Sequence, residues 1–364
     1  MESVVAVGEM PMKILVTGNM GYIGPSVIRQ LRSSYPGATI VGLDIGYFAH
    51  CLTTNGILPE CMLDLQYFKD VRFVEKETLK DVDAIIHLAA ISNDPMGNTF
   101  EEVTLEVNHR ASVELARKAK EVGVKTFVFA SSCSMYGAAE DSARTEKAPL
   151  NPLTAYARSK VFTERDLEPL ASKRFKVTSL RFSTACGMSD RLRLDLVLND
   201  FMAGAVASKR ITILSDGTPW RPLIDVKDMA RAIDWAIRRD LVDGGEFLAV
   251  NVGRGEWNYQ VKDLAETVAK VVSGVDVSIN KNAPPDKRSY RVSFDLFRKL
   301  APEFQPETDL MTSIKELKDG LEGSGFKDTN FRNSKYMRLK VLMDLRNKGL
   351  LTEKLEWADA RRKI

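Results

Sequence analysis

The residue pattern predicts an α/β protein on a doubly wound parallel sheet, with a smaller α/β domain towards the C-terminus. Three features carry this. Short apolar runs alternate with longer amphipathic stretches over roughly the first 180 residues, as crossover-linked strands and helices do. A glycine-rich turn follows the first run, and a carboxylate ends the second. Such alternation needs crossovers that keep neighbouring strands parallel and cover both faces of the sheet.

Residues 13–17 form the first apolar run and 25–32 an amphipathic helix. The second strand, 39–43, ends at Asp44. Further strands are read at 84–88, 126–130 and 177–182. A long helix is expected over 101–122, where Val103, Val107, Ala111, Leu115 and Ala119 recur at every fourth position. Another covers 156–170. Past Arg181 the pattern loosens into helices at 195–207, 226–238 and 261–272 and a strand at 247–252. A basic segment over 280–291 carries Pro284 and Pro285, and two last helices are expected at 335–347 and 353–361. Residues 1–12 read as a disordered extension, since they lack the basic start and apolar run of a secretion signal. The expected division is 13–182 as the first domain, with 226–252 returning to it, and 183–225 with 253–364 as the second. No linker composition separates the two.

Composition narrows the function. Over 364 residues, 44% hydrophobic and 28% charged composition excludes a largely disordered chain. The 52 basic and 49 acidic residues leave a net +3, too weak a field for a nucleic-acid or membrane-surface protein. Cys51, Cys61, Cys133 and Cys186 are scattered and offer neither a disulfide framework nor metal-ligand spacing, which fits the reducing cytoplasm. No apolar run approaches the roughly 18 residues of a bilayer span.

The first turn reads Gly18-Asn19-Met20-Gly21-Tyr22-Ile23-Gly24, after a strand and into a helix. Glycines let the backbone turn tightly against a pyrophosphate, and the helix start offers N–H groups and a positive dipole end. The spacing is GxxGxxG, and glycines at a plain β–α turn would look the same. Asp44 adds the context, about 20 residues on, where a carboxylate accepts from an adenosine ribose. Ile45 and Gly46 follow it with no nearby basic residue to neutralise a 2′-phosphate, which favours NAD over NADP.

Tyr156 and Lys160 stand four apart at a helix start, on one face. A phenol ionises near pH 10, and a neighbouring ammonium lowers it towards the range of a working base. Ser132, just past the 126–130 strand, is the candidate to hold the substrate oxygen. The pair alone is a common pattern on exposed helix faces; after a glycine turn and a serine-rich strand end it becomes specific.

At this point the chain resembles the extended short-chain dehydrogenase/reductases, in particular the nucleotide-sugar epimerases and dehydratases. The resemblance rests on Gly18–Gly24, Asp44, Asp70 and Val71, His87 to Ala90, Asn108, Ser131 to Gly137, Tyr156 with Lys160, and Leu180 to Phe182, and runs from about residue 13 to about 300. It implies a Rossmann-type NAD-binding domain, with a nucleoside-diphosphate sugar held between it and the smaller domain. It further implies adenine contacts from Asp70 and Val71 and a cofactor wall from Leu88, Ala89 and Ala90. It suggests a homodimer through the 101–122 and 156–170 helices, although a stripe buried within one chain would look the same.

The reaction is narrowed by absences. Dehydratases of this family carry an Asp-Glu pair after the catalytic serine or threonine, and here those positions are Cys133 and Ser134. Cys133 reads as a small buried residue and His87 as packing beside the cleft. What remains is chemistry that Ser132, Tyr156, Lys160 and NAD perform alone: epimerisation through oxidation of a sugar hydroxyl, expected at C4, or one-way dehydrogenation or keto-sugar reduction. A non-catalytic cofactor-sensing protein is the minor alternative, since such proteins lose the tyrosine or lysine.

A sugar-linked diphosphate calls for arginines. By resemblance, Arg221 and Arg288 are the candidates, with Ser134, Thr184 and Asn199 as further substrate contacts. Thr184 stands where epimerases often carry asparagine, which points to an altered sugar contact. The tail beyond about residue 320 lies outside the resemblance, and its 336–345 stretch reads as an amphipathic helix packed on the domain.

Overall fold

The computed structural model describes residues 11–54, 56–138, 142–280, 283 and 289–358. In chain order the strands begin with β1 (Lys13–Thr17), β2 (Thr39–Asp44), β3 (Leu65–Phe68), β4 (Ala84–His87), β5 (Thr126–Ser132) and β6 (Lys176–Phe182). They continue with β7 (Thr184–Cys186), β8 (Arg210–Ile213), β9 (Trp220–Asp225), β10 (Phe247–Val252), β11 (Asn258–Gln260) and β12 (Asp276–Ile279). The helices start with α1 (Gly24–Ser34), α2 (Asp94–Thr99), α3 (Glu101–Leu105), α4 (Ser112–Glu121), α5 (Ala155–Leu167) and α6 (Val197–Ser208). After them come α7 (Val226–Arg238), α8 (Val261–Val271), α9 (Asp295–Leu300), α10 (Leu310–Gly323) and α11 (Arg338–Asn347).

Seven strands form one parallel sheet in the order β10-β6-β5-β4-β1-β2-β3. The two-residue period of a strand sorts its side chains into two cores. Ile14, Val16, Ile40, Ile86, Val128 and Leu180 point into one. Leu15, Val41, Ile85, Phe127, Phe129 and Val177 point into the other. Both faces are covered, so these strands read as near-continuous apolar runs. The chain moves outward from β1 to β3, then crosses back to β4, which opens a crevice at the strand ends beside β1 and β4.

The doubly wound α/β fold read from the sequence is the observed one. Differences fall where local signals are weak. The expected 101–122 helix is broken by a π-helical turn at Glu106–Ala111. There Asn108 turns its amide inward, accepting from the Ile91 N–H and donating to the Ile91 carbonyl at 2.8 and 3.0 Å. The apolar stripe of this stretch faces its own core: Val103, Ala111, Leu115 and Ala119 are buried. Its outer side carries the Arg158–Glu101 ion pair and a His109–Asp166 hydrogen bond.

The helix expected at 353–361 is absent from its described part, 353–358. Leu351 bridges Trp357 in antiparallel fashion, and Leu355 takes a left-handed conformation at φ 56°. Its Cβ disfavours that region in isolation, so tertiary contacts hold the turn. The Tyr47 hydroxyl donates to the Leu355 carbonyl, and Trp357 Nε1 donates to Ile45 O at 2.7 Å. Residues 1–10 and 359–364 lie outside the described residues. Among the described residues no helix is long and apolar enough to cross a membrane.

Candidate active site

The C-terminal ends of the sheet strands open into a cleft of about 660 Å³. At its floor is the first glycine turn. Gly18 has φ +73°, and a Cβ there would stand 2.5 Å from Ala89 N. At Gly24 a Cβ would meet Asn19 O at 1.9 Å. No side chain caps the start of α1, and Tyr22 and Ile23 just before it line the cleft. The N–H groups of that first turn are therefore left for an acceptor in the cleft. Asp44 lines the same space, its carboxylate accepting from Met20 N at 3.0 Å and Gly46 N at 2.8 Å. Burial pushes its pKa up, against those two hydrogen bonds. Opposite a 2′-phosphate, this carboxylate would repel. Nearby Lys69 is already held by Glu75 at 2.9 Å. The cradle therefore fits NAD.

The second cluster sits where β5 ends. Ser132 Oγ accepts from Ser134 N at 3.2 Å, and this hydroxyl lowers the pKa of the Tyr156 phenol. Thr154 caps α5, accepting from Ala157 N at 3.1 Å, and so sets Tyr156 in the first turn, facing the cleft. Lys160 lies one turn on, with Nζ 5.6 Å from the Tyr156 ring centre and 4.6 Å from that of Phe129. Lys160 Nζ donates to Ala130 O at 2.6 Å. Burial pushes the phenol up to about 12 and pulls the ammonium down to about 7. Both shifts favour the neutral form: the phenol stays protonated at neutral pH, and the ammonium gives up its proton far more readily than a free lysine. Beneath it, Glu164 binds Arg181 at 2.7 Å and accepts from Ser131 Oγ at 2.6 Å, which anchors α5 to the strand ends.

Of the residues singled out from sequence, the cleft is lined by Gly18, Gly21, Tyr22, Ile23, Asp44, Asp70, Val71, Leu88, Ala89, Ala90, Ser132, Ser134, Tyr156, Lys160, Thr184 and Arg221. Asn19 lies behind the turn, its amide donating to Gln66 at 2.6 Å. Met20 contributes its N–H to Asp44, and Gly24 packs on Asn19. Asn199 is not in the cleft lining: it is fully buried, accepts from Gly187 N, and donates to the Tyr22 hydroxyl and Arg193 O. Those bonds place it behind Tyr22 and Arg193, which line the cleft. Arg288 falls outside the described residues.

Cys133 and His87 are not in the cleft lining. The Cys133 thiol donates to Arg181 O at 3.0 Å, and burial raises its pKa. His87 is held by Thr17 and Ser112, each at 2.7 Å, and burial keeps it neutral, with a pKa near 3.

Sequence reasoning missed several cleft residues. Arg193 is buried, paired with Asp195 at 2.9 Å and donating to Ser92 Oγ at 3.0 Å, and its charge lowers the Tyr156 phenol. Asp94, Tyr290 and the tail residues Arg332, Met337 and Arg338 complete the wall. Their contribution depends on long-range packing, which no local motif announces. The buried hydroxyl of Ser134 has no hydrogen-bond partner among the described residues, which suits a ligand group.

The family profile described as the NAD dependent epimerase/dehydratase family matches residues 14–253. A UDP-glucose 4-epimerase of Bacillus subtilis is 29% identical over 292 residues, covering 73% of this chain and 84% of that one. One of Lactobacillus helveticus is 27% identical over 284 residues, covering 73% and 83%. Among solved structures, a UDP-glucose 4-epimerase of Thermotoga maritima with UDP-glucose aligns at TM-score 0.72 and 22% identity, over 86% of this chain and 99% of that one. An NAD-dependent NDP-hexosamine 5,6-dehydratase of tunicamycin biosynthesis aligns at TM-score 0.74 and 23% identity, over 88% and 99%. These structural likenesses establish the fold and span more than one reaction.

Proposed function

The chain belongs to the NAD-dependent epimerase/dehydratase family, and from that premise we propose that it is a nucleotide-sugar 4-epimerase. The observation that carries the choice is the Ser132–Tyr156–Lys160 cluster, facing a cleft in which the two positions after Ser132 supply no acid or base. A 4,6-dehydratase needs carboxylates there. The relatives named as UDP-glucose 4-epimerases make a UDP-sugar the first substrate to test.

In this reading the glycine turn and the start of α1 hold the cofactor's diphosphate, Asp44 its adenosine ribose, and Asp70 and Val71 its adenine. NAD, when bound, supplies the two-electron acceptor for the sugar carbon, and its positive ring lowers the nearby phenol. The Ser132 hydroxyl orients the sugar oxygen against Tyr156. Tyr156 Oη takes the hydroxyl proton and later returns it to the same oxygen. Lys160 Nζ, one helical turn away, favours the phenolate by its charge. The unpartnered Ser134 hydroxyl, Thr184 and Arg221 hold the sugar and its diphosphate. A homodimer through the 101–122 and 156–170 stretches, a cytoplasmic location, and a division into 13–182 with 226–252 and 183–225 with 253–364 belong to the same proposal.

The test starts from protein as purified, with no cofactor added. Absorbance measures bound NAD and NADH; a panel of UDP-, GDP-, CDP- and TDP-sugars is then followed at 340 nm, with products identified by NMR. Bound NAD and a C4-inverted product without net NADH release are expected. Cofactor-free protein that makes or consumes stoichiometric NADH with one sugar would replace the epimerase by a dehydrogenase or keto-sugar reductase.

A further inference from the structure

The family profile ends at residue 253, yet the tail crosses the cleft: Arg332 pairs with Asp200 of α6, and residues 338–357 run on to the cofactor half. Met337 and Arg338 line the cleft itself. The segment is fastened to the loops that carry Asp44 and Asp70. Trp357 Nε1 donates to Ile45 O at 2.7 Å, next to Asp44, and its ring lies 5.8 Å from that of Tyr47. The Tyr47 hydroxyl donates to the Leu355 carbonyl. Arg72 clamps Asp70 with one edge of its guanidinium and donates from Nη1 to Lys354 O at 2.9 Å. Leu342, Leu351 and Leu355 are buried with Tyr47, Ile91 and Phe100. These contacts place the segment across the end of the cleft where the adenosine-binding candidates lie.

Arg338 gives the segment a charge with a use. It is buried, lies 4.7 Å over the Phe48 ring, and donates to Arg191 O and Lys335 O at 2.8 and 3.3 Å. The neighbouring arginines are compensated, Arg191 by Glu60 and Arg193 by Asp195. Among the described residues Arg338 has no carboxylate within ion-pair distance. A buried cation with backbone acceptors alone is costly unless a ligand anion neutralises it.

We propose that residues 331–357 form a strap that completes the dinucleotide site: it closes the adenosine end over bound NAD, retains the cofactor between turnovers, and brings Arg338 to a diphosphate in the cleft. The proposal rests on the reading of this cleft as the NAD site and adds what holds the cofactor in it. A retained cofactor is what an epimerase requires, since the reduced form must return its electrons to the same sugar.

The experiment uses the full chain, loaded with NAD and passed through a desalting column, with bound NAD then assayed in the denatured protein over time. Trp357→Phe removes one strap hydrogen bond and Arg338→Met removes the charge. NAD should leave about tenfold faster from each, the scale of one lost hydrogen bond. Affinity for UDP, read by calorimetry, should change less than twofold. Folded variants, checked by circular dichroism, that keep NAD as long as the wild type would overturn the strap, as would a wild type that loses NAD on the column. UDP affinity falling while NAD retention is unchanged would assign Arg338 to the sugar nucleotide and overturn its part here. Failure of the wild type to bind added NAD at all would overturn the cofactor reading beneath it.

Discussion

Replacing Lys160 by methionine should stabilise the cofactor-free protein while removing activity. Lys160 is 3% exposed, and burial pulls its pKa from 10.5 to about 7. At about 1.4 kcal/mol per pKa unit, this bounds the cost of keeping the charged side chain folded at about 5 kcal/mol. The Ala130 carbonyl at 2.6 Å and the Phe129 face at 4.6 Å offset much of that cost, together by about 3–4 kcal/mol. A methionine of similar length escapes the burial cost and forgoes the offsets, for a net gain of about 1–2 kcal/mol. With an unfolding entropy near 0.8 kcal/mol/K for a chain of this length, the melting temperature should rise by about 2 °C. The pH dependence is the sharper readout. Between the folded value of about 7 and the free value of 10.5, the unfolded chain holds a proton that the folded one has released. Wild-type stability therefore climbs with pH through that window: the variant's advantage is largest at and below pH 7, and by pH 9 the wild type's gain of about 2.7 kcal/mol, two units at about 1.4 each, exceeds it and reverses the order. Urea unfolding of both proteins at pH 6, 7.5 and 9 measures it. A variant less stable than wild type at pH 6, or a gap that ignores pH, would refute the reasoning.

Three further outcomes are expected. Tyr156→Phe should cut turnover by about 10²–10⁴ and leave NAD binding intact, and the wild-type minus variant ultraviolet titration should place the phenol near pH 12 in the empty protein and lower with NAD bound. Glu164→Gln strands the buried Arg181 charge, and thermal melts should show a loss of about 3–5 kcal/mol, or about 5 °C. Ser134→Ala deletes a buried hydroxyl that has no protein partner, so stability should hold or rise while KM for the nucleotide sugar increases several-fold in steady-state assays.

The parts of the fold legible in the sequence are those whose signals are local and strong. Strands buried on both faces read as apolar runs, and β1, β2, β4, β5 and β6 appeared within two residues of their observed limits. The strand β3 was missed because it is a four-residue edge strand whose Leu65 and Phe68 are exposed, so burial left no mark on its composition. The helix α10 and the short strands β8, β11 and β12 carry no motif and owe their positions to tertiary packing. At the site, the glycine turn and the Ser–Tyr–Lys cluster were readable because fixed chemistry needs fixed spacing. Asn199 came from a family position carried over, and here its amide bridges Tyr22 and Arg193 behind the cleft lining. Arg193 and Arg338 reach the cleft from loops and a tail far apart in sequence, and no spacing rule links them.

The distribution of charge along the cleft separates scaffold from chemistry. Lys69, Arg193 and Arg332 line it, and each is neutralised by a carboxylate, Glu75, Asp195 and Asp200 in turn. Such pairs cost little in net field and brace one loop against another. Lys160 and Arg338 line the same cleft without a carboxylate in ion-pair reach among the described residues, and both are nearly sealed from water. Each carries a burial cost that its protein contacts relieve only in part, seen in a pKa drawn down to about 7 for Lys160 and about 10 for Arg338. A fold selected for stability alone would fill these positions with apolar side chains. Their retention makes sense if the balancing charges arrive with the ligands: a developing phenolate at Tyr156 for one, a diphosphate for the other. Loading the cleft should therefore stabilise the wild type more than the Lys160→Met or Arg338→Met variants. The difference in melting temperature with and without NAD reads that coupling directly.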